Sequence, residues 1–217
     1  MSLAFDPAEA VAMLCQADKR LAKVIARTGP FTMQPEKMRS PFESLLRAIV
    51  YQQLSGKAAA TIYGRVQALL PGRTIRPEAL LQVPQSTLRT AGMSRAKTLA
   101  AHDLAAKALD GTIPSLAKLR KMEDQAIIER LTAVRGVGVW TVEMLLIFKL
   151  GRPDVLPLTD LGVRKGFMRT YARSAMPTAQ ELLTHGDRWR PFRSVASWYL
   201  WRAIDQPAAF QQRPVAK

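Results

Sequence analysis

Between Leu131 and Gly166 the sequence LTAVRGVGVWTVEMLLIFKLGRPDVLPLTDLGVRKG sets helix-compatible runs against glycines and prolines that interrupt them. Residues 123–133 carry Ile127, Ile128 and Leu131 at helical spacing. Residues 139–150 restart as a helix that is apolar almost all round, so a buried central helix is expected. Between the two, Gly136 and Gly138 permit backbone angles that L-residues resist, and the chain can reverse within a few residues. The first N–H groups of the second helix sit at a positive dipole end beside Arg135, which suits a phosphate oxygen. An ordinary corner between two helices with a glycine cap would use the same residues.

Charge separates these readings. The chain has 32 Lys+Arg against 17 Asp+Glu, a net charge of +15, and a pI near 10.6. Such an excess marks a polyanion partner, nucleic acid before an acidic membrane. No apolar run is long enough to span a bilayer and no helix has one wholly basic face, so no membrane partner is expected. Met1-Ser2-Leu3-Ala4-Phe5-Asp6 does not read as a signal peptide. Cys15 is the single cysteine, which rules out internal disulfides and four-cysteine iron–sulfur clusters. An intracellular location follows, in cytoplasm or nucleoid for a bacterial protein. His102 and His185 are isolated and no metal-ligand cluster is present, so no metal is expected.

Nearly everything else also reads as helix. Asp6-Pro7 opens a helix to about Arg27, stopped by Gly29-Pro30, and Ser40-Pro41 repeats the start signal. Phe42, Leu45, Leu46, Ile49 and Val50 then trace one apolar face. Ser55 can cap the next helix, which ends at Pro71-Gly72. Short helices are expected at residues 78–82 and 85–90, and a longer one at 94–109 ended by Gly111. Three more are expected near residues 161–171, 178–186 and 192–204. No strand alternation of useful length occurs, and 217 residues at 48% hydrophobic suffice for a real core. The fold class is all-α.

The run Arg135-Gly136-Val137-Gly138-Val139-Trp140-Thr141, followed by Gly151, Pro153, Pro157 and Asp160, resembles the helix-hairpin-helix (HhH-GPD) DNA glycosylase superfamily. PFESLLRAIVYQQLS at residues 41–55 and WRPFRSVASWYLW at 189–201 resemble its 3-methyladenine DNA glycosylase II (AlkA-like) branch. The resemblance runs from about Pro41 to Ala203. It implies that residues 1–217 form one glycosylase unit of two helical lobes. One lobe covers about 42–134 and the other 1–36 plus 151–217, with the hairpin and central helix, 131–150, between them and the active cleft between the lobes. Some forty residues precede Phe42, too few for the extra β-domain of many AlkA-like proteins, so the compact form is expected.

Asp160 follows Leu156-Pro157-Leu158-Thr159 and begins a helical stretch. An N-cap there is worth roughly 1 kcal/mol; its match to the family's aspartate implies catalysis, and the two roles can coexist. Cleavage of an N-glycosidic bond develops oxocarbenium character, which a nearby carboxylate stabilises. An alkylated purine is already cationic and leaves without a strong general acid, so one carboxylate suffices. The target nucleotide must be flipped out. A cationic base then suits an aromatic pocket, for which Trp140, Phe42, Tyr51, Trp189 and Phe192 are candidates. Met144 and Leu161 stand where the branch has pocket tyrosines. Superfamily members that also cut the backbone place a lysine where Trp140 stands, so the resemblance implies a monofunctional enzyme. Gln53 takes the place of the branch's wedge leucine, with Leu54 the apolar neighbour. Arg135, Gly136, Val137, Gly138, Val139, Lys97, Arg164 and Lys165 are expected at phosphates. Asp154, earlier in the loop, reads as a structural acceptor. No cofactor is expected, beyond a monovalent cation that some hairpins of this type hold, here through the carbonyls of Thr132 and Val134. The partner implied is double-stranded DNA with alkylated bases, bound by a monomer. Two other readings share these motifs: a non-catalytic helix-hairpin-helix DNA-binding module, and a glycosylase for deaminated or oxidised bases.

Overall fold

The computed structural model describes residues 3–205, and those residues contain helices and no strands. In chain order the α-helices are α1 (Pro7–Ala17), α2 (Lys19–Thr28), α3 (Pro41–Tyr51), α4 (Gly56–Ala68), α5 (Pro77–Gln82), α6 (Gln85–Thr90), α7 (Arg95–Leu109), α8 (Leu116–Leu119), α9 (Asp124–Thr132), α10 (Val139–Leu145), α11 (Leu161–Thr170), α12 (Ala179–Gly186) and α13 (Arg193–Asp205). The start signals hold in detail. The side chains of Asp6, Ser40, Ser55 and Ser94 cap α1, α3, α4 and α7, with Pro opening α1 and α3. No helix among the described residues is long and apolar enough to cross a membrane.

The chain divides into two compact units: residues 37–145, and residues 1–36 with 146–217. In the first, α3 buries Phe42, Leu45, Leu46, Ile49 and Val50, the face its spacing predicts. Helix α7 packs against α3, α5 and α6 through Thr98, Ala100, Ala101, Leu104 and Ala105. These mostly small side chains let neighbouring helices come close.

In the second unit the expected helix from Asp6 to about Arg27 is two helices. Asp18 breaks it in an extended conformation (φ −145°) and caps α2, its Oδ1 accepting from the amides of Arg20 at 3.1 Å and Leu21 at 3.0 Å. Its Oδ2 accepts from Tyr171 Oη at 2.5 Å, His185 Nε2 at 3.0 Å and Trp189 Nε1 at 3.1 Å. A helical Asp18 could not cap α2, so the carboxylate's demand for donors overrides the helical pattern. Phe167, Tyr171, His185 and Trp189 pack against one another beside it, mostly edge to face. Trp189, expected in a base pocket, is therefore a buried core residue.

Helices α11 and α13 cross at very short range. A Cβ on Gly166 would lie 1.9 Å from the Leu200 carbonyl oxygen, and one on Gly162 would lie 2.6 Å from Trp201 Cδ1. The two glycines, one turn apart, remove the side chains that would hold α13 away.

A second difference concerns residues 139–150. The α-helix stops at Leu145, and Leu146–Leu150 winds as a π-turn. Its start is not buried, since Val139 and Trp140 are 50% and 45% exposed; burial begins at Thr141. An all-round apolar helix is thus buried on its later turns and open at its first.

Candidate functional site: a hairpin and a capped aspartate

The unit of residues 37–145 carries the hairpin. Helix α9 ends at Thr132, the Val137 amide donates to the Val134 carbonyl at 3.0 Å, and the Thr141 and Val142 amides return to the Gly138 carbonyl. Gly136 has φ +75°, where an L-residue would be strained, and a Cβ there would meet Ala100 of α7 at 3.4 Å. Gly138 lies outside the left-handed region, and a Cβ built on it meets nothing within 4 Å. The turn therefore needs one glycine, not two. At the second position the absent side chain leaves room for another molecule to approach the backbone. The Val137 side chain is core.

Arg135 is exposed, and its amide donates to Asp103 Oδ2 at 2.7 Å, which ties the hairpin to α7. Burial would raise the Asp103 carboxyl; the bonds from Arg135 and Lys107 outweigh it and hold the group below its usual value.

The loop between α3 and α4 carries the wedge candidates. Gln53 is exposed with φ +55°, and Leu54 is 40% exposed. Lys97 does not point to solvent as a phosphate contact. Its Nζ donates to the carbonyls of Val50 at 2.8 Å and Gln52 at 2.7 Å. Of the aromatic candidates in this unit, Phe42 belongs to the α3 core and Trp140 is half exposed. Tyr51 already carries the Arg47 guanidinium 4.1 Å from its ring centroid, so one ring face is taken by a cation. Met144 is half-buried.

The unit of residues 1–36 with 146–217 carries Asp160. It caps α11 and is 8% exposed. Its Oδ1 accepts from the Val163 amide at 2.7 Å and from Trp201 Nε1 at 2.7 Å. Trp201 is itself stacked on Phe148, with ring centroids 5.5 Å apart. The Gly162 gap admits its indole against the carboxylate. Two donors on one oxygen fix the rotation of the carboxyl group. Trp201 lies within the AlkA-like segment, but nothing in the sequence ties it to Asp160 across a separation of 41 residues. The small-residue pair Gly162 and Gly166 was the available signal.

The loop before Asp160 is held as firmly. Asp154 accepts from Arg193 Nε at 2.7 Å, Arg193 Nη2 at 3.0 Å and Arg190 Nη1 at 2.8 Å, so it is a structural acceptor. The Ser194 hydroxyl accepts the Val155 amide at 2.9 Å. Leu161, 52% exposed, stands beside Asp160. Phe192 is buried against Phe5, with centroids 5.6 Å apart. Arg164 Nε donates to the Pro177 carbonyl at 3.0 Å, and Lys165 is exposed. No cluster of three or more His, Cys, Asp or Glu side chains among the described residues could hold a metal ion.

Comparison with known proteins adds to this geometry. The profile of the HhH-GPD superfamily base excision DNA repair proteins matches residues 46–191. DNA-3-methyladenine glycosylase 1 of Schizosaccharomyces pombe is 36% identical over 185 residues, covering 85% of this chain and 80% of that protein. The structure of the S. pombe 3-methyladenine DNA glycosylase in complex with abasic DNA superposes with a TM-score of 0.81 at 32% identity, covering 92% of this chain and 98% of that one. The crystal structure of a DNA-3-methyladenine glycosidase from Bacillus halodurans gives a TM-score of 0.81 at 36% identity, covering 94% and 91%.

Proposed function

The chain belongs to the HhH-GPD superfamily of base excision DNA repair proteins, and from that premise we propose that it is a monofunctional DNA glycosylase for alkylated bases. It flips a 3-methyladenine or 7-methylguanine type nucleotide from double-stranded DNA and hydrolyses the N-glycosidic bond. The product is an abasic site in an uncut strand. The observation that carries this reading is Asp160, a nearly buried carboxylate whose Oδ1 is fixed by the Val163 amide and the Trp201 indole. A carboxylate held rigidly before the reaction needs no reorganisation as positive charge develops on the sugar. The names of the relatives, 3-methyladenine glycosylases at 36% identity, support the substrate class.

The leaving base is already cationic, so Asp160 acts without a second acid. It stabilises the oxocarbenium-like sugar, and water supplies the hydroxyl group that ends on the anomeric carbon. The half-exposed Trp140 offers an electron-rich face to such a base. It also has no amine, so no Schiff base can form at the position where lyases of the superfamily carry lysine. Met144 and Leu161 stand where the branch pattern has tyrosines, so neither position supplies a second aromatic face. A monovalent cation held by the Thr132 and Val134 carbonyls would brace the hairpin. The Val134 carbonyl already accepts the Val137 amide and keeps a second lone pair for it. No step of the reaction passes through such an ion.

The chain is a monomer in this reading, and its hairpin binds DNA phosphates. Incubation with methylated duplex DNA, followed by chromatography of the supernatant, should release alkylated purines. The duplex should stay unnicked until alkali is added, and borohydride should trap no covalent adduct. Intact methylated DNA after prolonged incubation would refute the glycosylase, and a trapped adduct would refute its monofunctional character. Gly138→Asp should fold, given the open space there, and should weaken damaged and undamaged DNA alike, because phosphate contacts carry no sequence information.

A further inference from the structure

The loop that carries Gln53 and Leu54 is tied at both ends of one residue. The Gln52 carbonyl accepts from Lys97 Nζ at 2.7 Å, and the Gln52 side chain donates from Nε2 to the Gly136 carbonyl at 2.9 Å. Lys97 also holds the Val50 carbonyl, so its ammonium neutralises the last carbonyls of α3, at the negative end of that helix dipole. Immediately beyond, Gln53 adopts φ +55°, a conformation unfavourable for an L-residue that persists only where its surroundings impose it. Helix α7 supplies the frame. On successive turns of one side it presents Lys97 to the loop, Ala100 to Gly136 and Asp103 to the Arg135 amide.

We infer that Lys97 and Gln52 are positioning residues that lock the base-replacing loop to the phosphate-gripping hairpin, so that wedge and grip meet DNA as one rigid piece. This rests on the glycosylase reading for its purpose, but not for its geometry. A loose wedge would still bind backbone phosphates, because the hairpin supplies those contacts. It would lose the extra affinity that comes from filling a gap in the base stack. The entropy of ordering the loop would then fall at the moment of insertion rather than at folding. Lys97 therefore governs discrimination rather than bulk DNA affinity, even though its charge alone suggests the opposite.

The test uses the full chain and two duplexes, one undamaged and one with a tetrahydrofuran abasic analogue. Lys97→Met should lower the preference for the abasic duplex about tenfold while affinity for undamaged duplex stays within about threefold. Amide exchange at residues 53–55 should accelerate about tenfold or more. Gln52→Ala should act in the same direction, and Lys97→Arg, which can still reach both carbonyls, should restore most of the preference. Melting temperatures are measured for each variant, and exchange at core amides of α3 checks that the unit stays folded. Unchanged exchange at 53–55 would overturn the lock. Faster exchange with unchanged discrimination would reduce Lys97 to a helix cap and overturn the inference. So would equal weakening on both duplexes, which would return Lys97 to the phosphates. A wild-type chain without preference for the abasic duplex would remove the lock's purpose. A wild-type chain that prefers the abasic duplex but releases no methylated base would refute the glycosylase reading and leave the lock standing.

Discussion

Asp18 and Asp160 play the same local part and differ in what surrounds them. Each precedes a helix, caps it, is nearly buried at 5% and 8% exposure, and accepts a tryptophan indole N–H. Asp18 takes donors on both oxygens from three parts of the chain: α2, the Tyr171 end of α11, and the His185–Trp189 segment. Burial by itself would raise its carboxyl. The bonds from His185, Tyr171, the Leu21 amide and Trp189 outweigh that and hold it far below the usual carboxylate range. Tyr171 is pushed the other way, by burial and then by its bond to Asp18. On Asp160 an amide and an indole converge on Oδ1. The first carboxylate is a keystone whose value is cohesion. The second has its Oδ1 held by the start of its own helix and by Trp201 of α13, and is the carboxylate proposed for the chemistry.

The sharpest way to break this contrast is Asp160→Asn. Asparagine caps a helix nearly as well as aspartate, so melting should barely move. Base release should fall at least about a thousandfold, roughly 4 kcal/mol of barrier. Single-turnover release from methylated duplex measures it, and a loss of only a few-fold would remove Asp160 from the chemistry. Asp18→Asn should do the reverse. Denaturant unfolding should show a loss of about 3 kcal/mol, because one buried and two half-buried donors lose a charged acceptor. The release rate per folded molecule should remain that of the parent. A rate defect without instability would mean that the two aspartates are not divided as argued.

Trp201→Phe sharpens the comparison at smaller scale. Phenylalanine keeps the stacking on Phe148 but removes the N–H, so release should slow about tenfold with little change in stability. Equal loss of stability and rate would make Trp201 a packing residue only. The smallest effect is in acid. The folded-state value of Asp18 is depressed, so its stabilisation is complete above the unfolded value, about 3.9, and shrinks as pH falls below it. The stability gap between parent and Asp18→Asn should therefore narrow by about 1 kcal/mol between pH 6 and pH 3. A gap that stays constant or widens in acid would contradict the assigned sign.

Helix starts were legible because their causes lie within four residues. Asp6, Ser40, Ser55, Ser94 and Asp160 each cap the amide two or three positions ahead, and serine or aspartate before a helical run announces it. The hairpin turn and the catalytic candidate at the start of α11 came from the same short-range rules, joined to a resemblance over three motifs; that Gly136 alone needs the left-handed conformation did not. The break at Asp18, the π-turn after Leu145, the core placement of Trp189, the turn of Lys97 inward and the choice of Trp201 were not legible.

Short-range chemistry is written in the chain, so the sequence alone determined the all-α class, the helix starts and the aspartate that begins α11. Tertiary structure alone decided which donors each aspartate receives, and that Lys97 faces a neighbouring loop. The partners concerned stand 41, 45, 153 and 171 residues apart, and only helix packing brings them to hydrogen-bonding distance. A buried carboxylate takes its character from donors that close packing delivers, and close packing is a property of the whole set of helices rather than of any one segment.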